Sequence, residues 1–220
     1  MNGMARGAGA LFLVSTAAYM IGSGLLNPVL ERSEALGSIA GDRTSVIAGT
    51  LLELINAAAV LGIAMLLYPI LKKHHEAFAL GYFGSRLIES AILIVSLVVP
   101  VVLLAFGEQD AAAAAADRSV YQGIADFAVE AHNMLFQLAM IVLGLGSLLF
   151  CYILYRSRLV PRFLPAVGFI GYAGLLTSSC LALTGRDMGT ALFIPGAIFE
   201  IALPLWLIFK GVNPRTATAG

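Results

Sequence analysis

The chain has 220 residues, 60% of them hydrophobic and 12% charged, with a mean hydropathy of +0.92. Soluble domains carry about 25% charged residues, so the composition excludes a soluble globular protein and reads as a polytopic membrane protein. The 13 basic and 13 acidic residues cancel, and bulk electrostatics therefore predict neither nucleic acid nor any strongly charged partner.

The first apolar run, residues 8–29, follows Arg6 and closes at Asn27-Pro28. It exceeds the roughly 7–15-residue core of a signal peptide and no cleavage pattern follows it, so a retained span is expected. Its Gly7, Gly9, Gly22 and Gly24 suit close helix packing. A polar link over 31–44 leads to a second span, 45–71, in which Glu53 and Asn56 stand at i and i+3. Lys72-Lys73-His74-His75-Glu76 reads as a solvated turn at the headgroups. The third span, 77–106, carries Arg86 and Glu89, and the Ala111–Ala116 run behind it strongly favours helix. Asp126, Glu130, His132 and Asn133 open a fourth span, 125–155; the last two are expected at 164–183 and 190–209, with Glu200 near the centre of the final one. The expected fold is all-α, a single domain over 1–220 forming a six-transmembrane-helix bundle. Cys151 and Cys180 fall at different depths of adjacent spans, so they are not expected to pair, and neither has metal or redox spacing.

An ionisable side chain at the bilayer centre costs about 2.5–3.5 kcal/mol even on lenient insertion scales, which makes it a functional-site candidate whose partner has to be found. Arg86 and Glu89 share a helix face and are read as an ion pair. Counted from the span ends, Glu53, Glu130, His132 and Glu200 all fall between the outer third and the centre of the bilayer, the level also of Arg86 and Glu89. Such crowding is the usual equipment of acid–base chemistry, proton relays and metal sites. Glu89, Glu200 and His132 are the candidates for proton transfer or ligand binding. Glu53, Glu89, His132 and Glu200 make a mixed oxygen and nitrogen set suited to a divalent metal such as zinc, manganese or iron, although no HExxH spacing accompanies them. A haem with two histidine ligands is disfavoured because His132 is the only histidine inside a span. No nucleophile elbow and no phosphate-binding glycine loop occurs.

The opening Arg6-x-x-Gly9, the Leu67-Tyr68 helix end, Ser85-Arg86-Leu87-Ile88-Glu89, His132, the turn Leu154-Tyr155-Arg156-Ser157-Arg158-Leu159-Val160-Pro161-Arg162, and the ending Phe199-Glu200-Ile201-Ala202-Leu203-Pro204-Leu205-Trp206-Leu207 resemble the DUF4386 family of bacterial integral membrane proteins. The likeness covers nearly the whole chain, and the basic turn and the Glu200-to-Trp206 ending are its most specific parts. It implies the membrane fold, a location in the bacterial plasma membrane, and that Arg86, Glu89, His132 and Glu200 are family features. It implies no activity. Three functions remain open at this point: a small-solute or proton-coupled transporter, an intramembrane and metal-dependent enzyme acting on a lipid or other apolar substrate, and a non-catalytic protein whose polar core serves packing or partner binding. The bilayer is the one partner the composition requires, and the oligomeric state is left open.

Orientation follows from the basic residues. With the N-terminus inside, the cytoplasmic segments hold Arg6, Lys72, Lys73, Arg156, Arg158, Arg162, Lys210 and Arg215, and the outer loops hold only Arg32, Arg43, Arg118 and Arg186. Both termini are therefore expected in the cytoplasm, with Arg156, Arg158 and Arg162 in a basic turn at anionic headgroups and Pro161 keeping the fourth helix from continuing. Reporters fused after Gly220 and within Ala111–Ala116 are expected to read opposite sides of the membrane; the same side for both would overturn the six-span count.

Overall fold

The computed structural model describes residues 2–31, 39, 41–112, 115–186 and 194–213. They form α1 (Asn2–Leu30), α2 (Arg43–Leu71), α3 (Glu76–Ser96), α4 (Val98–Ala112), α5 (Ala115–Ser157), α6 (Phe163–Ala182) and α7 (Ile194–Phe209), with no strand among the described residues. In lipid only structures that satisfy their own backbone hydrogen bonds can span, and the five stretches Asn2–Leu30, Arg43–Leu71, Glu76–Gly107, Ser119–Ser157 and Phe163–Ala182 are long and apolar enough to do so. Helix α7 is shorter, 16 residues, or about 24 Å at 1.5 Å per residue. Residues 190–193 of the expected last span, and most of the 31–44 link, lie outside the described residues. The fold is a polytopic helical membrane bundle.

The third span differs from the continuous helix expected over 77–106, because it is jointed at Leu97 between α3 and α4. Pro100 accounts for the joint. It has no N–H to donate to the carbonyl of Ser96 four residues back, and that carbonyl is met instead by the His132 ring, Nδ1 at 2.9 Å. Helix α5 is longer than the expected 125–155: its 43 residues extend about 64 Å, well past a bilayer core of about 30 Å. It stops at Ser157 because Arg158 turns left-handed, φ 53°, three residues ahead of Pro161. His75, expected only in a solvated turn, caps α3: its Nδ1 accepts the Phe78 N–H at 3.2 Å while its ring stacks on Phe78.

Six helices form a ring in the order α1, α2, α3, α5, α6, α7, each packed on the next, and α7 returns to α1. Helix α4 prolongs α3 along α5 and α2. The described ends lie together: a Cβ on Gly211 would meet Asn2 Oδ1 at 3.0 Å, and the Asn213 N–H reaches the Leu159 carbonyl in the α5–α6 turn. Buried apolar residues gather in two main layers. The larger, with Ala8, Leu67, Leu71, Phe150, Leu154 and Leu207, occupies the end that carries the chain termini. The smaller, with Leu26, Val29, Val46, Leu103 and Ala125, occupies the other. Between them Ala57, Leu93 and Ala139 form a small cluster, and beside it, next to Phe12, Ile63 and Leu143 of the larger layer, the interior is hollow.

Ring closure depends on backbone contact at glycines. A Cβ on Gly171 of α6 would run into the backbone of Gly196 in α7, with the Pro195 carbonyl carbon at 2.8 Å, and a Cβ on Gly9 would meet the Pro204 oxygen of α7 at 2.8 Å. Gly22 and Gly49 hold α1 and α2 together in the same way, a Cβ on either lying 3.0–3.1 Å from the other's carbonyl oxygen, whereas Gly24 faces open space. Replacing Gly171 by alanine is therefore expected to destabilise the protein by about 1–3 kcal/mol, the usual cost of overpacking against atoms that cannot rotate away. Gly24→Ala is expected to be neutral or slightly stabilising, since alanine is the better helix former. Unfolding curves in detergent micelles measure both, and equal responses would count against the close α6–α7 approach.

Candidate functional site

The hollow is a cavity of about 460 Å³ to which every helix of the ring contributes: Ser15 and Tyr19 from α1, Asn56 from α2, Arg86 and Glu89 from α3, Phe136 from α5, Tyr172 and Ser179 from α6, Glu200 from α7. Arg86 and Glu89 occupy one face of α3, and their spacing lets Nη1 of the arginine reach both carboxylate oxygens, at 3.0 and 3.3 Å. The pair is 5% and 2% exposed. Arg86 Nη2 donates to Ser147 Oγ of α5 at 3.2 Å, and the guanidinium lies 5.4 Å from the Tyr82 ring centre. Small residues make this reach possible: a Cβ on Gly146 of α5 would collide with the Ser85 side chain of α3. On the other side of α3, the Ser90 hydroxyl donates to the Ala57 carbonyl of α2 at 2.8 Å. Ser179 Oγ is buried with no hydrogen-bond partner, whereas the buried Arg86 Nε has the buried Tyr82 hydroxyl as its neighbour.

Across the cavity Glu200 accepts a hydrogen bond from the Tyr172 hydroxyl at 3.2 Å. Arg86, Glu89 and Glu200 thus line one space. Glu53 and His132 do not line it; they line a second pocket of about 80 Å³ together with Ser23, Asn27, Ser96 and Asn133. Tyr19 and Phe136, stacked with ring centres 6.1 Å apart, border both spaces. A hydrogen-bonded chain connects them: Ser15 Oγ donates to Asn56 Oδ1 at 2.7 Å, and Asn56 Nδ2 donates to Glu53 Oε2 at 3.4 Å. His132 is engaged by the Ser96 carbonyl, which can only accept, so Nδ1 carries the proton. Glu130, expected at the same depth, is exposed on α5. Among the described residues no three His, Cys, Asp or Glu side chains stand close enough to hold a metal ion, and Glu53, Glu89, His132 and Glu200 are divided between the two pockets. Arg156, Arg158 and Arg162 are all exposed around the α5–α6 turn, with Arg162 over the Tyr155 ring at 5.1 Å.

The polar residues that sequence reasoning passed over are Tyr172, Ser147 and Ser179. A tyrosine in the middle of an apolar span is a usable signal, since its hydroxyl needs a partner at that depth. Ser147 follows Gly144-Leu145-Gly146, a run of small residues that marks close helix approach.

Removing one member of a buried pair strands the other charge and costs about 3–5 kcal/mol, more than removing both. Arg86→Gln alone is therefore expected to unfold more readily in detergent than Arg86→Gln with Glu89→Gln, and a double variant no better than the single one would count against mutual neutralisation.

No curated protein and no solved structure matches the chain. A family model, DUF4386, described as a domain of unknown function, matches residues 7–211, a range that takes in all of the ring except the first residues of α1. The chain belongs to the DUF4386 family.

Proposed function

We propose that this protein is a small-solute transporter of the bacterial plasma membrane, built as one six-helix domain over 1–220, with the central cavity as its binding site. The observation that carries the reading is that all six ring helices line one cavity holding an ion pair and a second carboxylate. A site formed at the meeting of all spans, near the middle of the membrane, is the arrangement in which movement of one group of helices against the rest changes the side from which the site is reached. A purely structural polar core would instead be filled and fully paired, yet here Ser179 Oγ, on the cavity wall, is buried without a partner. Within this reading Arg86 holds Glu89 and fixes the face of α3. Glu200 is the group for ligand binding or proton exchange, since Tyr172 gives it a hydrogen bond and no positive charge. In the same reading Glu53 and His132, which line the smaller pocket next to Tyr19 and Phe136, are assigned to the cavity's approach.

Ser179 lines the cavity and is 1% exposed, which makes it the reporter. In a chain carrying Cys151→Ala and Cys180→Ala, Ser179→Cys is expected to react with a membrane-impermeant maleimide in both right-side-out and inside-out vesicles. Reaction from one face only, or from neither, would remove the transporter reading.

A further inference from the structure

We propose that the cavity takes an organic cation, an ammonium group carried on an aromatic or branched apolar body, with the positive group against Glu200. The inference rests on reading the cavity as the binding site of a transporter and names the class of solute. Charge decides it first. The lining holds one guanidinium and two carboxylates, Arg86, Glu89 and Glu200. The Arg86 charge is met by Glu89 at 3.0 Å, and Glu200 has no ion-pair partner among the described residues, only the Tyr172 hydroxyl. With both carboxylates ionised, the lining carries one negative charge in excess, which either a proton on Glu200 or an arriving cation neutralises. An anion would add to the same excess.

The walls agree with the charge. Tyr19, Phe136, Tyr172 and Phe12 bring aromatic rings to the cavity, and ring faces attract ammonium groups by about 0.5–2 kcal/mol while also accepting apolar surface. Ser179, buried and unpartnered, stands seven residues after Tyr172 on α6, two turns and about 10 Å along the same helix face. It offers a second polar contact to the far end of a ligand whose charged end is at Glu200. The volume, about 460 Å³, falls within the range of roughly 300–1,000 Å³ that holds small organic molecules.

The test compares three probes with one body and different heads: 2-phenylethylammonium, 2-phenylethanol and 3-phenylpropanoate, titrated calorimetrically into the full chain in lipid nanodiscs, with empty discs subtracted. The ammonium is expected to bind at least about tenfold tighter than the alcohol, a difference of about 1.4 kcal/mol, and the carboxylate weakest. Glu200→Gln is expected to abolish the preference, and Glu200→Asp to retain it. An alcohol that binds as well as the ammonium, or a carboxylate that binds best, overturns the proposal on the unmodified protein alone, whether or not the Glu200 variants fold. No binding by any probe overturns it too. In that case Ser179→Cys labelled from both faces leaves the transporter reading standing, and Ser179→Cys labelled from one face or none removes both.

Discussion

A charge in the interior of a membrane bundle has no water to fall back on, and the position of α3 is set by how the Arg86–Glu89 pair meets that constraint. Each residue supplies the counter-charge the other lacks, but the guanidinium has further donors to satisfy. Ser147 on α5 takes one of them, which requires α3 and α5 to approach closely, and the small residues Ser85 and Gly146 occupy the point of contact. On the opposite side the Ser90 hydroxyl fastens α3 to the Ala57 carbonyl of α2. The helix is thus held between its neighbours by directional polar contacts, where leucine packing against lipid-like surfaces would give little discrimination among positions.

A ring of six helices explains why the middle is hollow. At the two ends large apolar residues converge and fill the axis. At the middle level Glu89, Arg86, Glu200 and Tyr172 share the wall with Phe12, Phe136 and Leu143, and apolar side chains reaching farther in would take the place of the partners the polar groups need. The glycine contacts oppose each other in a useful way: Gly171 and Gly196 draw α6 against α7, and Gly22 and Gly49 draw α1 against α2, so the helices touch at the circumference and leave the centre open.

The helical class, the spans and the ion pair were legible because each rests on local spacing: twenty apolar residues for a span, three residues between Arg86 and Glu89. Counting residues from the span ends put Glu53, His132 and Glu200 at one level, a measure of depth too coarse to separate the two pockets. It could not give direction around the axis, because the order of helices in the ring depends on contacts such as Gly171 with Gly196 and Gly9 with Pro204 that lie far apart in sequence. His132 and Glu53 line another pocket because they stand farther along their helices: on α1, α2, α3 and α5 the smaller pocket takes Ser23, Glu53, Ser96 and His132, about one to two turns from the cavity residues Ser15, Asn56, Glu89 and Phe136. The joint at Leu97 was different: Pro100 is local, and its missing N–H identifies the orphaned Ser96 carbonyl directly. What the sequence could not name was the group that satisfies it, His132, 36 residues away.

His132 and Asn56 together decide what can cross between the two pockets. The His132 ring is committed through Nδ1 to a backbone carbonyl that holds the helix joint, so turning it toward the cavity would unsatisfy Ser96 in a medium that offers no replacement. The remaining polar route runs from Glu53 through Asn56 to Ser15. Asn56 donates at one end and accepts at the other, so the chain is oriented consistently, but a carboxamide neither gains nor loses a proton near neutral pH and cannot pass one along. The chain therefore transmits hydrogen-bond orientation past the aromatic pair without transmitting protons. A proton moving from the smaller pocket to Glu200 must travel on water or on a solute, and the stacked rings of Tyr19 and Phe136 stand at that boundary.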